Sequence, residues 1–135
     1  YFPTKDELMI SLIRFYWKDY GDKMDAAFSS EEDFLVKMHR IFEIIDTFIR
    51  TFEGFIPEYA KKGNEKPEGR VQKFLNEFRK GIKNALDMDK TISIVPSIKT
   101  EELSAFIAAN MISIALYRLY TYENFEKIVR IIILK

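Results

Sequence analysis

A nearly continuous apolar segment at residues 103–120 constrains the fold more than any other part of the sequence. The clearly polar residues within it are Ser104, Asn110, Ser113 and Arg118. Thr100 precedes the segment as a helix N-cap, and Glu101 and Glu102 suit the positively polarised first turn of a helix. Because a helix that is apolar on nearly every side is buried on nearly every side, the segment predicts a helix enclosed by other helices.

Capping signals and apolar spacing predict further helices. The first, at residues 4–24, begins with a Thr4 and Glu7 capping box and frays near Gly21. The second, at residues 34–52, carries the cleanest apolar stripe in the chain. It follows a capping box that pairs Ser30 with Asp33. It ends near Gly54 and Pro57, before the polar turn KKGNEKPEG at residues 61–69.

The second half of the chain continues this pattern. Pro67 suits the first turn of a third helix, whose apolar face runs to Ala85. The stretch TISIVPSIK at residues 91–99 alternates like a strand, but a lone strand has no partner, so an extended connection is predicted. A last helix is predicted at residues 124–135. The sequence therefore predicts one all-α domain at residues 1–135, a helical bundle of about five helices.

Composition excludes several classes of function. The 21 basic and 21 acidic residues cancel, and no block of lysine and arginine marks a nucleic-acid binder. The absence of cysteine excludes disulfides, thiol catalysis and thiolate metal sites, and it fits a cytoplasmic protein. The longest apolar runs fall short of the roughly 18 residues that a membrane span needs.

Catalytic and cofactor motifs are not recognisable in the sequence. The single histidine, His39, lies one turn before Glu43, which predicts a solvated pair at the edge of an apolar stripe. A di-iron bundle needs a glutamate three residues before each histidine, and that position holds Val36. The glycines are too scattered for a phosphate loop. We therefore expect neither enzymatic activity nor a cofactor or metal.

Two polar residues lie among apolar ones on predicted helix faces. Asp19 shares a face with Leu8 and Leu12, and Asn110 shares a face with Phe106 and other apolar residues. Buried polar groups need hydrogen-bonding partners. Asp19 is interpreted either as part of a salt bridge near the helix end or as the lining of a cavity. Asn110 is interpreted either as an amide bonded to another helix or as a group that orients a ligand.

The stretch YFPTKDELM at residues 1–9 resembles the junction in TetR-family transcriptional regulators, where an aromatic-rich turn of the type YxF-[PKS]-[SN]-K-[ED]-[ED]-L leads from the recognition helix into the regulatory domain. The residues that carry the resemblance are Tyr1, Phe2, Pro3, Thr4, Lys5, Asp6, Glu7 and Leu8, with Thr4 at the Ser/Asn position and Tyr1 one residue closer to Phe2 than in the family's turn. The resemblance implies a TetR-like C-terminal domain that binds an effector and dimerises. It places a helix-turn-helix domain upstream of residue 1, absent from this chain, and leaves DNA contacts to that domain.

The resemblance also implies that residues 100–120 and 124–135 pair with a second copy across a two-fold axis. The predicted dimer-interface residues are Ala105, Ala108, Ala109, Ile112, Leu116, Phe125, Ile128 and Ile132. A small apolar or aromatic effector is expected, because the apolar stripes hold no paired cations for a charged one. The predicted pocket residues are Phe15, Trp17, Asp19, Met38, Phe42, Phe78, Ile82, Phe106, Asn110 and Tyr117. The alternative is a ligand-free helical dimerisation or adaptor module in which these aromatics fill a core.

Overall fold

The computed structural model describes residues 4–52 and 67–134. In these residues the chain forms five helices and one short antiparallel ladder. The elements are α1 (Lys5–Ser29), α2 (Phe34–Phe52), α3 (Pro67–Met88), β1 (Ser93–Ile94), α4 (Thr100–Tyr117), α5 (Tyr122–Ile132) and β2 (Ile133–Leu134). The predicted all-α bundle is confirmed. Residues 1–3, Gly54, Pro57 and residues 61–66 of the predicted polar turn lie outside the described residues.

Helix α1 begins as predicted and ends later than predicted. The Thr4 hydroxyl accepts from the Glu7 amide at 3.1 Å, and the Glu7 carboxylate accepts from the Thr4 amide at 3.3 Å. The helix then runs past Gly21 to Ser29. It continues because Ala27 is buried in the main core and Met24 packs against that core. This packing outweighs the cost of about 0.5–1 kcal/mol for a glycine inside a helix.

The predicted capping box of Ser30 and Asp33 is wrong. The Ser30 hydroxyl donates to the carbonyl of Ala27 at 2.9 Å, so Ser30 closes α1 rather than opening α2. Helix α2 starts at Phe34, whose amide donates to the carboxylate of Asp89 at 3.1 Å. One acceptor for this helix start therefore comes from the turn after α3, which a capping rule based on neighbouring residues does not predict.

Helix α2 lies at the centre of the bundle and contacts α1, α3 and α4. Its buried apolar residues recur at three- and four-residue spacing: Phe34, Leu35, Met38, Ile41, Ile45, Phe48, Ile49 and Phe52. Full burial of one such side chain stabilises the fold by about 1.5–3 kcal/mol. On α3, Gly81 permits close packing, since a Cβ there would lie 2.9 Å from the ring of Phe28. Helices α3 and α4 complete the core against α2.

Helix α2 also supplies cations to two neighbouring helices. Neither α1 nor α4 has a basic residue in its last turn. The buried Lys37 donates to the carbonyl of Phe28 at 3.1 Å, near the end of α1. Arg50 donates to the carbonyl of Ala115 at 3.2 Å, near the end of α4. A cation at a helix C-terminus is favourable, so α2 helps to hold both ends in place.

The extended connection predicted at residues 91–99 contains a strand. Ser93 pairs with Leu134 and Ile94 with Ile133, in antiparallel orientation. The predicted last helix correspondingly ends at Ile132 rather than continuing to residue 135. The prediction failed because the pairing partner lies about 40 residues away, in a segment whose spacing also suits a helix.

Candidate functional site

One side of α4 is only partly covered by the rest of the described chain. We call it the outer face of α4, and its residues are exposed or half-buried: Ala105, Phe106, Ala109, Asn110, Ile112, Ser113, Leu116 and Tyr117. Leu116 is 46% exposed and Tyr117 is 69% exposed. The sequence holds no charged residue between Leu103 and Tyr117. The prediction of a helix enclosed on nearly every side is therefore met on one side alone within a single chain.

The opposite side, the inner face of α4, belongs to the core. Its buried residues are Leu103, Ser104, Ile107, Ala108, Met111, Ile114 and Ala115. Two residues predicted for the dimer interface, Ala108 and Phe125, are only 5% and 2% exposed and belong to this core. In the single chain they are therefore not accessible to a second copy. Of the six others, Ala105, Ala109, Leu116 and Ile128 are exposed, while Ile112 and Ile132 are half-buried and pack against the core.

Asn110 is held by its own helix and by the turn that follows. Its amide donates to the carbonyl of Phe106 at 2.8 Å, and its side-chain oxygen accepts a hydrogen bond from the Tyr120 hydroxyl. Arg118 adopts a left-handed conformation with φ of 53°, which ends α4. Asn110 therefore ties the end of α4 to the turn before α5. Tyr120 was missed by the sequence analysis, because nothing local indicates that this turn folds back.

A second group of side chains forms an aromatic cluster between α1, α2 and α3. Its members are Trp17, Tyr20, Phe48, Phe52 and Phe74. The Trp17 ring lies 4.9 Å from Phe48 and 5.1 Å from Phe74, both in edge-to-face geometry. Trp17 is nevertheless 40% exposed. The Trp17 ring therefore contacts the other rings of the cluster on one side and solvent on the other.

The ten predicted pocket residues fall in several places. Met38, Phe78 and Ile82 are buried in the main core, while Trp17 joins the aromatic cluster. Phe42 stacks on Tyr122 at 4.6 Å. Four others lie on exposed or half-buried surfaces: Phe15 on α1, and Phe106, Asn110 and Tyr117 on the outer face of α4. The tenth, Asp19, is exposed.

Asp19 forms an ion pair with Lys23 at 3.3 Å, and both side chains are more than half exposed. This matches the salt-bridge interpretation rather than the cavity lining. An exposed pair of this kind contributes little to stability. The helix end that was expected beside it lies instead at Ser29.

A shallow crevice lies between α2, α4 and α5. It is lined by Leu35, Met38, Ile107, Tyr122, Phe125, Glu126 and Val129. Its volume of about 180 Å³ includes open solvent, and no part of it has room for a water molecule. Burial raises the pKa of the Tyr122 hydroxyl above its ordinary value, and the neighbouring Glu126 adds to this shift. This crevice is filled by its own side chains.

His39 occupies the position predicted for it. Its Nε2 lies 3.2 Å from a carboxylate oxygen of Glu43, and both side chains are at least half exposed. The His39 ring also stacks on Tyr122 at 5.1 Å. Among the described residues, no group of three or more histidine and carboxylate side chains is arranged to hold a metal ion.

Comparisons with known proteins give no relative for this chain. No protein-family model, no curated protein and no solved structure matches it. The resemblance to TetR-family regulators therefore rests on residues 1–8 and on the pattern of helices. Within residues 4–52 and 67–134, none of the helices has the length and apolar character needed to cross a membrane.

Proposed function

We propose that this chain is the dimerisation and effector-binding domain of a TetR-like transcriptional regulator. The observation that carries the proposal is the outer face of α4, which is mainly apolar, uncharged and only partly covered. A helix face of this kind is typical of a surface that is buried against a partner. In the proposed dimer, α4 and α5 of two copies pack around a two-fold axis, so that each outer face covers the other.

The composition of the outer face supports pairing between identical copies. Ala105 and Ala109 are small and lie one turn apart, which allows close approach of two helix backbones. Ile112 and Leu116 continue the same line and supply apolar surface. An isologous contact uses the same patch on both copies, so each of these residues is buried in both chains. Because no charged group lies on this face, the contact requires no charge to be desolvated.

In this proposal, the effector binds at the aromatic cluster. Trp17 and its neighbours offer ring faces and edges that suit a planar apolar compound. Trp17 also belongs to α1, the helix that would continue into an upstream DNA-binding domain. A compound that binds Trp17 with different affinity in two positions of α1 would couple its own binding to the position of the upstream domain. Coupling of about 1–3 kcal/mol is sufficient for such a switch.

Sedimentation equilibrium tests the dimer. At micromolar concentration we expect a mass of at least twice the 16.0 kDa of one chain. A stable monomer at these concentrations would contradict the proposal.

Trp17 fluorescence tests the effector site, because Trp17 is the single tryptophan of the chain. Titration with hydrophobic, planar and anionic compounds should change this emission for planar apolar compounds. The same compounds, at about a hundred times their dissociation constants, should raise the unfolding free energy by roughly 2.7 kcal/mol. Thermal unfolding measures this stabilisation. Trp17→Phe is the control, since it should reduce the stabilisation by the compounds while retaining the fold. Stabilisation by phosphorylated anions alone would contradict the assignment.

The filled crevice between α2, α4 and α5 favours a second candidate, a ligand-free adaptor that acts through dimerisation alone. The two candidates differ in one result. An adaptor dimerises through the outer face of α4 and shows no change in Trp17 emission with any compound of the panel. A regulator dimerises through the same face and also changes its Trp17 emission when a planar apolar compound is added.

A further inference from the structure

The side of α1 that points away from the bundle carries a regular line of residues, which we call the α1 seam. Its members are Lys5, Leu8, Leu12, Phe15, Asp19 and Asp22. They are spaced alternately by three and four positions, which is the spacing of the contact line in a coiled coil. All six are exposed in the single chain. The seam is therefore a helix surface with coiled-coil spacing and no partner among the described residues.

The apolar centre of the seam is unusually exposed. Leu8 is 52% exposed and Phe15 is 70% exposed, and Leu12 lies between them. The other side of α1 is used within the chain, because Ile13 is buried together with Phe48 and Phe52. Helix α1 is therefore already anchored by one side while it offers the seam to a partner.

The charges of the seam specify the orientation of that partner. Lys5 stands at one end, while Asp19 and Asp22 stand at the other. A parallel pair of seams would place each of these charges opposite its own copy, which is repulsive. An antiparallel pair brings opposite charges together. The seam is therefore complementary to itself in one orientation.

We propose that the α1 seam binds the α1 seam of a second copy as an antiparallel helix pair. In the register that places Leu12 opposite the partner's Phe15, Lys5 lies opposite the partner's Asp22, and the two-fold axis repeats both contacts. Asp19 then lies opposite the partner's Leu8, where its ion pair with Lys23 at 3.3 Å already balances its charge. The partner is thus another copy of this chain.

This contact is independent of the proposed function, since it uses α1 and not the outer face of α4. One helix pair buries less area than a standard interface of about 1,200–2,000 Å², so we expect a weak association. A chain with both contacts forms assemblies larger than a dimer at high concentration.

Disulfide cross-linking tests both the contact and its orientation. The chain has no cysteine, so introduced cysteines are its only thiols. Leu8→Cys and Asp19→Cys lie opposite each other in this register and leave the pair of Lys5 and Asp22 intact, so the two substitutions combined in one chain should give a covalent dimer under mild oxidation. A disulfide within one chain is excluded, because the two positions lie roughly 16 Å apart along the helix and a disulfide spans at most about 7 Å between Cα atoms.

The single variants are the controls. We expect the double variant to give at least ten times the covalent dimer of Leu8→Cys or Asp19→Cys alone. Equal yields from the single and double variants would overturn the antiparallel contact, as would the absence of dimer in the double variant.

A second set of variants tests the apolar centre in the same cross-linking background. Phe15→Lys should lower the yield at least tenfold. Leu119→Lys is the matched control, since Leu119 is 82% exposed and lies outside the α1 seam, in the turn between α4 and α5; it should leave the yield unchanged. Far-ultraviolet circular dichroism should show equal helicity for both variants. An unchanged yield with Phe15→Lys, or equal losses with both variants, would overturn the proposal.

Discussion

The inner and outer faces of α4 have similar apolar composition and different surroundings. Ala108, on the inner face, is buried in the core, while its neighbour Ala109, on the outer face, is exposed. Likewise Met111 is fully buried and Leu116 is 46% exposed. The inner face holds the monomer together, and we propose that the outer face holds the dimer together. Apolar composition of a helix thus indicates burial without indicating which molecule provides it.

The largest expected difference comes from placing a carboxylate on each face. Ala108→Glu brings an unpaired charge into the core, so we expect the free energy of unfolding to fall by at least about 3 kcal/mol. Ala109→Glu places the same group in water, where surface substitutions change stability by within about 0.5 kcal/mol. Urea unfolding in dilute solution, where association is negligible, measures both. Similar losses in the two variants would show that the two faces are not distinct.

Truncation to alanine gives a smaller difference of the same kind. Met111→Ala removes a buried side chain from the inner face and should cost about 2–5 kcal/mol through lost burial and a residual cavity. Leu116→Ala, on the outer face, should cost less than about 1 kcal/mol in the monomer, because much of that side chain already contacts water. The measurement is again chemical unfolding at low protein concentration. A larger loss for Leu116→Ala would place that residue in the core.

The smallest effect on stability is expected at the C-terminal end of α4, where both faces end. Arg118 holds a left-handed conformation at the end of α4, with φ of 53°. Glycine adopts this conformation without steric cost, so Arg118→Gly should stabilise the monomer by about 1 kcal/mol. Arg118→Ala, which keeps the Cβ, is the control and should give little change. Thermal unfolding that shows destabilisation by Arg118→Gly would mean that the arginine side chain has a role beyond the turn.

Local features of the fold were predictable from the sequence. The capping box of Thr4 and Glu7 and the apolar stripe of α2 depend on residues within a few positions of each other, and both are present. Features that depend on distant residues were not predictable. Asp89 supplies the acceptor for the start of α2 from 55 positions away. The pairing of Ser93 with Leu134 is another such contact.

The candidate site shows the same division. The interface that the resemblance implied contained both Ala108 and Ala109, because the sequence gives the direction of each side chain around the helix but not the position of the neighbouring helices. Trp17 was named as a pocket residue, yet its contacts with Phe48 and Phe74 join three helices. The packing of those helices, and not a motif, creates the aromatic cluster.

The most direct test of the outer face as a dimer surface is sedimentation equilibrium of two variants in which Phe15→Lys disrupts the α1 seam. Phe15→Lys alone should retain the outer-face dimer, with about twice the 16.0 kDa of one chain. Phe15→Lys combined with Ala109→Glu should be a folded monomer, because two carboxylates would otherwise be buried near the two-fold axis. A dimer that persists in the combined variant, or a monomer with Phe15→Lys alone, would contradict the account.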